Sequence, residues 1–331
     1  MLSRTEFWKN RRVFVTGCTG ILGSWLTQAL LEAGAEVVGL IRVRVPLSNL
    51  KLSGADQRII AVDGDILNAE MLERVLNEYE IETVFHLAAQ PLVRLANRAP
   101  VNTLEINVRG TWLLLEACRT AATVKRIIVA SSDKAYGDQE VLPYTEESPL
   151  QGRHPYDVSK SCADLITQTY ANTYHLPVAI TRCGNIYGGG DLNWDRIVPG
   201  TIRSVLQGEP PLIRSDGTLL RDYLYVADIV EGYLCLAEQL DDPALYGQAF
   251  NFGMDNPQSV LAIAQAIIAL ADRPDLQPIV LNQASHEISR QYLSSEKAHR
   301  VLGWSARYSL TDGLRCTLEW YHQFFETHAH M

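Results

Sequence analysis

The stretch that decides the fold is Arg12-Val13-Phe14-Val15-Thr16-Gly17-Cys18-Thr19-Gly20-Ile21-Leu22-Gly23. Its first five residues are mostly apolar β-formers and predict a buried strand. A helix from about Ile21 to Ala33 follows and ends at Gly34, a residue type that favours helix termination. Glu36–Ile41 then predicts a second strand. Strand, glycine turn, helix and strand form a βαβ unit whose turn is suited to binding phosphates.

The three glycines of this turn are spaced G-x-x-G-x-x-G rather than G-x-G-x-x-G. In such turns one glycine allows the tight bend, one lets the backbone approach a pyrophosphate, and one lets the helix pack on the strand. A plain strand-to-helix turn is the alternative, but it would not need three glycines. We therefore expect a dinucleotide to lie against Gly17, Thr19, Gly20, Ile21, Leu22 and Gly23.

The alternation of strands and helices continues to Gly188. Further strands are predicted at Arg58–Val62, Thr83–Leu87, Arg126–Ala130 and Pro177–Thr181, and further helices at Leu67–Tyr79, Pro100–Ala122 and Tyr156–Tyr174. This alternation predicts an α/β fold with a doubly wound parallel (Rossmann) sheet.

Beyond Gly188 the pattern breaks into short helices and Pro- and Gly-rich connectors. The helices are predicted around Ile197–Leu206, Val226–Leu240, Ser259–Leu270 and Leu310–Phe325. We expect a dinucleotide-binding domain at 1–188 and a smaller, mixed C-terminal substrate lobe at 189–331, with some later elements returning to the first domain. A cleft between the two would hold the substrate.

The residue after the second strand helps to distinguish NAD from NADP. An acid there binds the ribose hydroxyls, whereas an arginine accommodates a 2′-phosphate. Here the residue is Arg42, with Arg44 two positions on. Arg42 favours NADP, but it could equally stack on the adenine or face solvent. We expect NAD, with NADP left open.

Two later segments are further candidates for cofactor binding. Asp65 is positioned to accept a hydrogen bond from the adenine amine, with Ile66 beside the ring; capping the next helix is the alternative role for Asp63 or Asp65. Leu87 ends the fourth predicted strand, and Ala88 and Ala89 after it are small enough for the cofactor to lie close to the backbone, so all three are expected to contact it.

Two polar residues near these segments have structural explanations. His86 lies in a strand, and a satisfied core histidine is the favoured interpretation. Asn107, inside the long helix Pro100–Ala122, is expected to brace the neighbouring strand-end loop.

Tyr156 and Lys160 lie four residues apart and so share one face of a helix that begins after Pro155. A free tyrosine has a pKa of about 10. An ammonium roughly 4 Å away is worth about 4 kcal/mol at an effective dielectric of about 20, which corresponds to about three pKa units. The pair is therefore a candidate acid–base centre, although an ordinary exposed Tyr and Lys would show the same spacing.

Ser131-Ser132-Asp133-Lys134 follows the fifth strand, at the sheet edge where parallel α/β folds bind ligands. The alternative for Asp133 and Lys134 is a solvated turn. The glycine turn, this loop and the Tyr156 helix thus converge on one edge.

Composition excludes several other functions. The 331 residues carry a net charge of −9, which argues against a nucleic-acid or anionic-membrane surface. No apolar run approaches the ~20 residues that span a bilayer, and the N-terminus has no apolar signal region. Six scattered cysteines without a C-x-x-C motif favour free thiols over disulfides or a zinc site. We expect a cytoplasmic protein without a metal.

Over nearly its whole length the chain resembles the extended short-chain dehydrogenase/reductase family of NAD-dependent epimerases and dehydratases. Within it, the following segments look like the CDP-glucose 4,6-dehydratases: Phe7-Trp8, residues 88–94 (AAQPLVR), Ser132-Asp133-Lys134, residues 188–191 (GGGD) and residues 195–199 (DRIVP). Epimerases of the family usually lack the acid–base pair after the serine.

The resemblance implies a redox-neutral dehydration of a nucleotide hexose to the 4-keto-6-deoxy sugar. Tyr156 would take the C4 hydroxyl proton as C4 is oxidised, Lys160 would lower its pKa and hold the nicotinamide ribose, and Ser132 would bind the reacting oxygen. Asp133 would protonate the leaving C6 oxygen. Lys134, where many dehydratases carry Glu, would act as, or assist, the base that removes the C5 proton before hydride returns to C6. A sugar-nucleotide 4-epimerase, which would not use Asp133 or Lys134, is the alternative.

The resemblance also implies the remaining binding residues. Cys183 would join Tyr156 and Lys160 at the cofactor, and the substrate would contact Gln90, Arg94, Ser132, Asn185, Arg196, Val198 and Arg221.

Two segments leave questions open. The segment from Arg221 to Val226 matches the general family rather than the CDP-glucose enzymes, so the nucleotide base stays open. His286-Glu287 resembles those enzymes but suggests no physical role. The family implies a homodimer through Pro100–Ala122 and Tyr156–Tyr174.

Overall fold

A computed structural model describes residues 3–283 and 288–328. Its strands are β1 (Arg12–Thr16), β2 (Glu36–Ile41), β3 (Ile60–Asp63), β4 (Thr83–His86), β5 (Arg126–Ala130), β6 (Val178–Cys183), β7 (Asn185–Tyr187), β8 (Leu212–Ile213), β9 (Leu220–Arg221), β10 (Tyr223–Tyr225), β11 (Ala249–Phe252), β12 (Gln258–Ser259), β13 (Ile279–Val280) and β14 (Arg290–Gln291).

The α-helices are α1 (Arg4–Trp8), α2 (Ile21–Glu32), α3 (Asn49–Leu52), α4 (Ala69–Glu78), α5 (Val93–Arg98), α6 (Pro100–Leu104), α7 (Gly110–Thr120), α8 (Pro155–Tyr174), α9 (Ile197–Leu206), α10 (Val226–Gln239), α11 (Val260–Leu270) and α12 (Leu310–Thr327). None of these described helices is long and apolar enough to cross a membrane.

The large sheet has seven parallel strands in the order β11-β6-β5-β4-β1-β2-β3. Successive residues of β1 point to opposite faces, as strand geometry requires. Val13 and Val15 pack in one hydrophobic core with residues of α2 and α10, whereas Phe14 packs in the other with residues of α4 and α7. The predicted doubly wound Rossmann sheet is therefore confirmed.

The seventh strand is absent from the prediction. Residues 249–252 return from beyond the predicted boundary at 188 and pair with β6, with Phe250 opposite Thr181. Helix α10 also packs against α2. Part of the 189–331 segment therefore completes the first layer, while α9, α11 and α12 pack on one another beside the small sheets.

The long helix predicted at Pro100–Ala122 has a different internal geometry. Residues Glu105–Arg109 form a π-helical turn between α6 and α7, and the helix ends at Thr120. The strand predicted at Arg58–Val62 also shifts to Ile60–Asp63, because Ala55–Gln57 forms a 3₁₀ turn just before it.

Candidate active site

A cleft of about 1880 Å³ runs along the carboxyl edge of the large sheet. Most ligand sites enclose about 300–1000 Å³, so this cleft has room for a dinucleotide and a nucleotide sugar together. A smaller cleft of about 470 Å³ between α1, α2 and α10 contains none of the predicted site residues. The large cleft is lined by Gly17, Thr19, Gly20, Ile21, Leu22, Gly23, Arg42, Ile66, Leu87, Ala88, Ala89, Arg94, Ser132, Asp133, Lys134, Tyr156, Lys160, Cys183, Asn185, Arg196, Val198 and Arg221.

Two predicted residues, Asp65 and Gln90, do not line this cleft. Asp65 accepts a 3.0 Å hydrogen bond from the Leu67 amide, a local turn contact that leaves the helix cap to Asn68. Gln90 is buried, and its amide group bonds Leu92 and Thr103. Both side chains therefore make bracing contacts within the chain. Their contacts with adenine and substrate stay predictions.

The glycine turn brings its backbone close to neighbouring segments. Gly17 has a φ of +75°, and a Cβ there would lie 2.8 Å from the Ala88 nitrogen. A Cβ on Gly23 would lie 2.1 Å from the Gly17 oxygen. Gly20 precedes α2 without a side-chain cap. The first amides of that helix therefore face an anion-binding position.

The arginines after β2 differ in their surroundings. Arg42 is exposed at the rim of the cleft. Arg44 instead pairs with Asp63 at 2.8 Å.

His86 is a satisfied core histidine, as expected. Its Nδ1 lies 2.9 Å from Thr16 Oγ1 and its Nε2 lies 3.1 Å from Thr111 Oγ1. Thr111 donates its own hydroxyl proton to the Asn107 carbonyl, so His86 carries its proton on Nε2 and accepts from Thr16 on Nδ1. Burial, together with the charge of Lys160, lowers the pKa of His86 to about 3.

Thr16 also fixes the loop after β4. Its hydroxyl oxygen accepts hydrogen bonds of 3.2 Å from the amides of Leu87 and Ala88. These contacts hold the loop against the glycine turn.

Asn107 braces the strand-end loop, as predicted. Its Oδ1 accepts from the Gln90 amide at 2.7 Å, and its Nδ2 donates to the Ser159 hydroxyl at 2.9 Å. Ser159 lies between Tyr156 and Lys160 on α8. The π turn therefore connects the loop after β4 to the tyrosine helix.

The expected lowering of the pKa of Tyr156 is wrong for this structure. Burial, together with the charge of Asp133, raises the pKa of Tyr156 to about 12, although hydrogen bonding with Ser132 opposes the shift. Lys160 donates from Nζ to the Ala130 carbonyl at 2.7 Å, and burial lowers its own pKa to about 8. For the pKa of Tyr156, the loss of water around both side chains therefore outweighs the attraction expected between a tyrosinate and the Lys160 ammonium.

The loop after β5 forms a short 3₁₀ turn over Asp133–Tyr136. Ser132 donates a 3.0 Å hydrogen bond to Asp133 Oδ1. Asp133 is buried, and this burial raises the pKa of its carboxyl group despite the nearby charge of Lys134. A carboxyl group that keeps its proton above the usual range can serve as a general acid.

The three arginines that are predicted to bind the substrate, Arg94, Arg196 and Arg221, all line the cleft. Arg196 pairs with Asp191 at 3.0 Å and Arg94 pairs with Asp195 at 3.2 Å. Arg221 is buried and donates to the Leu220 carbonyl at 2.8 Å. The backbone of Asn185 is fixed by the Asp222 carbonyl, because β7 and β10 run in parallel.

Sequence reasoning missed three side chains near the reacting groups. Tyr233 lines the cleft and hydrogen-bonds Thr181. Asp157 also lines it, and its position beside Tyr156 could have signalled it. Gln291 accepts a hydrogen bond from Lys134. No sequence pattern indicates this contact, because the two residues lie 157 positions apart in the chain.

Two further predictions concern metals and the His286-Glu287 segment. Within residues 3–283 and 288–328, no group of three or more His, Cys, Asp or Glu side chains is arranged to hold a metal ion. His286 and Glu287 lie outside the described residues.

The fold and the cleft are those of the extended short-chain dehydrogenase/reductase class. The chain belongs to the GDP-mannose 4,6 dehydratase family, whose model matches residues 14–317. It is 34% identical to the CDP-glucose 4,6-dehydratase of Salmonella typhimurium, over 96% of this chain and 92% of that protein.

Solved structures share the whole fold. The dTDP-glucose 4,6-dehydratase of Bacillus anthracis in complex with NAD superposes with a TM-score of 0.84 at 26% identity, covering 96% of this chain and 98% of that one. The UDP-glucose 4-epimerase of Thermotoga maritima with UDP-glucose gives 0.86 at 27% identity, covering 95% and 99%.

Proposed function

We propose that this protein is a sugar-nucleotide 4,6-dehydratase that converts a CDP-glucose-like hexose to its 4-keto-6-deoxy form. The observation that carries the proposal is the buried Asp133, whose raised pKa suits a proton donor, on the loop that also presents Ser132 and Lys134 to the cleft. The similarity to the Salmonella CDP-glucose 4,6-dehydratase supports the same reaction.

The glycine turn fits a dinucleotide cofactor. Side chains at Gly17 and Gly23 would collide with neighbouring backbone, so the turn brings its main chain close to whatever lies there. Ser131 lines the same cleft, and its buried hydroxyl has no hydrogen-bond partner among the described residues. NAD is the cofactor, held by the glycine turn, Ile66, residues 87–89 and Lys160. When bound, its nicotinamide supplies the oxidation at sugar carbon 4 and the matching reduction at carbon 6.

Tyr156 and Ser132 act at the C4 hydroxyl. The phenolic oxygen accepts the hydroxyl proton, and Ser132 stabilises the developing charge through hydrogen bonding. The raised pKa of Tyr156 means that its deprotonation needs substrate-bound rearrangement of the nearby charges, with Asp133 as the unfavourable neighbour and Arg196 as the favourable one.

Asp133 and Lys134 act in the elimination of water across C5 and C6 of the sugar. The C4 ketone acidifies the C5 hydrogen, which moves to Lys134 Nζ. Asp133 gives its proton to the C6 oxygen, which leaves as water. Each proton transfer is a general acid–base step that typically contributes about 10²–10⁴-fold.

The substrate diphosphate requires cations and amide donors. We assign this role to Arg196 and Arg221, with Asn185 beside them and Arg94 nearer the mouth of the cleft. Arg196 and Arg94 already hold carboxylates, Asp191 and Asp195, which a diphosphate can replace as partners.

A 4-epimerase is the second candidate, favoured by the likeness to the Thermotoga UDP-glucose 4-epimerase. Incubation with CDP-glucose and with UDP-, dTDP- and GDP-hexoses separates the two. A 4-keto-6-deoxy product absorbs near-ultraviolet light in strong base, whereas an epimer does not. An epimerised product, or full dehydration by Asp133→Asn, would sink the dehydratase assignment.

We also propose a homodimer through α6, α7 and α8. Val101, Trp112 and Leu165 are large apolar side chains that are exposed on these helices, and exposed apolar side chains that lie together mark interaction sites. Light scattering should give about twice the chain mass of 36.9 kDa, and Leu165→Asp should lower it to that of one chain. A wild-type monomer would contradict the assignment.

We assign the enzyme to the cytoplasm. The support is its nucleotide-sugar chemistry and its six free cysteines.

A further inference from the structure

Gln291 reaches the active-site loop from the C-terminal part of the chain. It lies on β14, which pairs in parallel with β9, so that Gln291 is opposite Arg221. The backbone on its C-terminal side is fixed as well. The Tyr144 amide donates to the Tyr292 carbonyl at 3.0 Å, and the Ser294 amide donates to the Tyr144 carbonyl at 2.8 Å. The buried side chain of Gln291 therefore projects from a rigid base.

The amide group of Gln291 contacts the proposed catalytic lysine. Lys134 donates from Nζ to Gln291 Oε1 at 2.8 Å. Within the described residues, the buried Gln291 Nε2 has no hydrogen-bond partner. The contact with Lys134 is therefore what sets the orientation of the amide, because turning Nε2 toward an ammonium would place two donors face to face.

A glutamine can serve both protonation states of a lysine. Its carbonyl accepts from the N–H groups of an ammonium, and after a half-turn its N–H₂ group donates to the lone pair of a neutral amine. Among the residues that the structure describes, Nε2 has no other hydrogen bond that the half-turn would break. A carboxylate at this position would favour only the ammonium, and an aliphatic side chain would hold neither state.

The charges around Lys134 explain why a neutral partner matters. Asp133 and Asp157 both interact with the lysine charge. The charge of Arg221 also stabilises the ionised form of Asp133, and that of His154 stabilises the ionised form of Asp157. A carboxylate in place of the glutamine would favour the ammonium and oppose the loss of its proton. Gln291 fixes the position of Nζ without adding charge.

We propose that Gln291 is a positioning residue that holds Lys134 Nζ for proton transfer at sugar C5 in both of its protonation states. The proposal rests on the dehydration proposed above. In that step the C5–H bond breaks and its proton moves to Nζ. The bonding electrons form the C5–C6 double bond as the C6–O bond breaks, and the oxygen leaves as water with the proton of Asp133.

The test compares Gln291→Leu and Gln291→Glu with the wild type on CDP-glucose and on CDP-glucose deuterated at C5. In Gln291→Leu we expect kcat to fall about 10²-fold, the cost of a misplaced group, with KM little changed. The kinetic isotope effect at C5 should rise, because proton removal becomes rate-limiting. In Gln291→Glu the pH optimum of kcat should move upward, because the added carboxylate favours the ammonium.

Tyr292→Phe is the matched control, since it alters the adjacent half-buried residue on the same segment. It should leave the isotope effect and the pH profile at wild-type values. Circular dichroism checks the fold of each variant, and Gln291→Glu keeps the shape of the side chain if Gln291→Leu fails to fold.

Either an unchanged isotope effect in a folded Gln291→Leu or an unchanged pH profile in Gln291→Glu overturns the proposal. A wild type that dehydrates none of CDP-, UDP-, dTDP- or GDP-glucose overturns the proposed function instead, so the two failures are distinguishable.

Discussion

Lys160 Nζ donates a 2.7 Å hydrogen bond to the carbonyl oxygen of Ala130. This contact ties the tyrosine helix α8 to the end of β5, two residues before Ser132. It also means that the buried lysine has a fixed partner of its own while Tyr156 stays protonated, with a pKa raised to about 12. The relative positions of the tyrosine and the serine loop therefore depend on a main-chain acceptor.

Tyr156→Phe should lower kcat by about 10²–10⁴-fold, because it removes the proposed general base at the C4 hydroxyl and little else. Binding of CDP, measured by calorimetry, should stay near the wild-type value. Tyr174→Phe, an exposed tyrosine on the same helix, is the control and should be fully active. A fully active Tyr156→Phe would contradict the assigned role.

The pH profile of kcat/KM should fall on the alkaline side near pH 8. Burial lowers the pKa of Lys160 to about 8, so above that pH the ammonium that holds Ala130 loses its charge. Lys160→Arg should be slower but should lack this alkaline fall, since arginine stays charged. An identical alkaline limb in the wild type and this variant would assign the titration to another group.

Asp133→Asn should lose dehydration yet gain stability. The folded-state pKa of Asp133 is raised by burial, so the folded protein binds more protons than the unfolded chain above the normal range of the carboxyl group. Its contribution to the free energy of unfolding therefore becomes less favourable as pH rises through that window. Urea unfolding at neutral pH should show a higher midpoint for Asp133→Asn; a lower midpoint would contradict the desolvation argument.

His86 should make the fold sensitive to acid. Its pKa is about 3 in the folded protein against about 6.5 in an unfolded chain. The unfolded state therefore binds more protons between these values, and stability falls by a few kcal/mol as the pH drops from about 6.5 to 3.

His86→Gln should flatten that part of the curve measured by urea unfolding. The exposed His322→Gln should leave the curve unchanged. An equally steep acid loss in His86→Gln would refute the assignment.

The first half of the fold follows from local patterns. Arg12–Thr16 predicts a strand and Gly17–Gly23 a turn, and the structure has both, with no room for a side chain at Gly17 or Gly23. His86 and Asn107 could also be interpreted correctly, because a polar residue inside a predicted strand or helix needs internal partners.

Other features depend on packing between distant segments. Ala249–Phe252 is four residues long and has no helix or turn signal that ties it to β6, so its place in the sheet cannot be predicted locally. The pKa of Tyr156 was predicted in the wrong direction because helical spacing reports the nearness of Lys160 but not the desolvation of both groups. Gln291 meets Lys134 only once β14 has joined β9.

The late arrival of β11 affects how the chain folds during synthesis. In a chain that ends at residue 188, β6 is an outer strand that pairs with β5 on one side only, although all six of its residues are buried in the finished protein. Its apolar face and free peptide groups are those of an aggregation-prone edge. A ribosome must add about sixty more residues before Ala249–Phe252 can close that edge. A gene fragment cut after Gly188 should therefore yield insoluble protein, even though it contains every residue of the glycine turn and of the tyrosine helix.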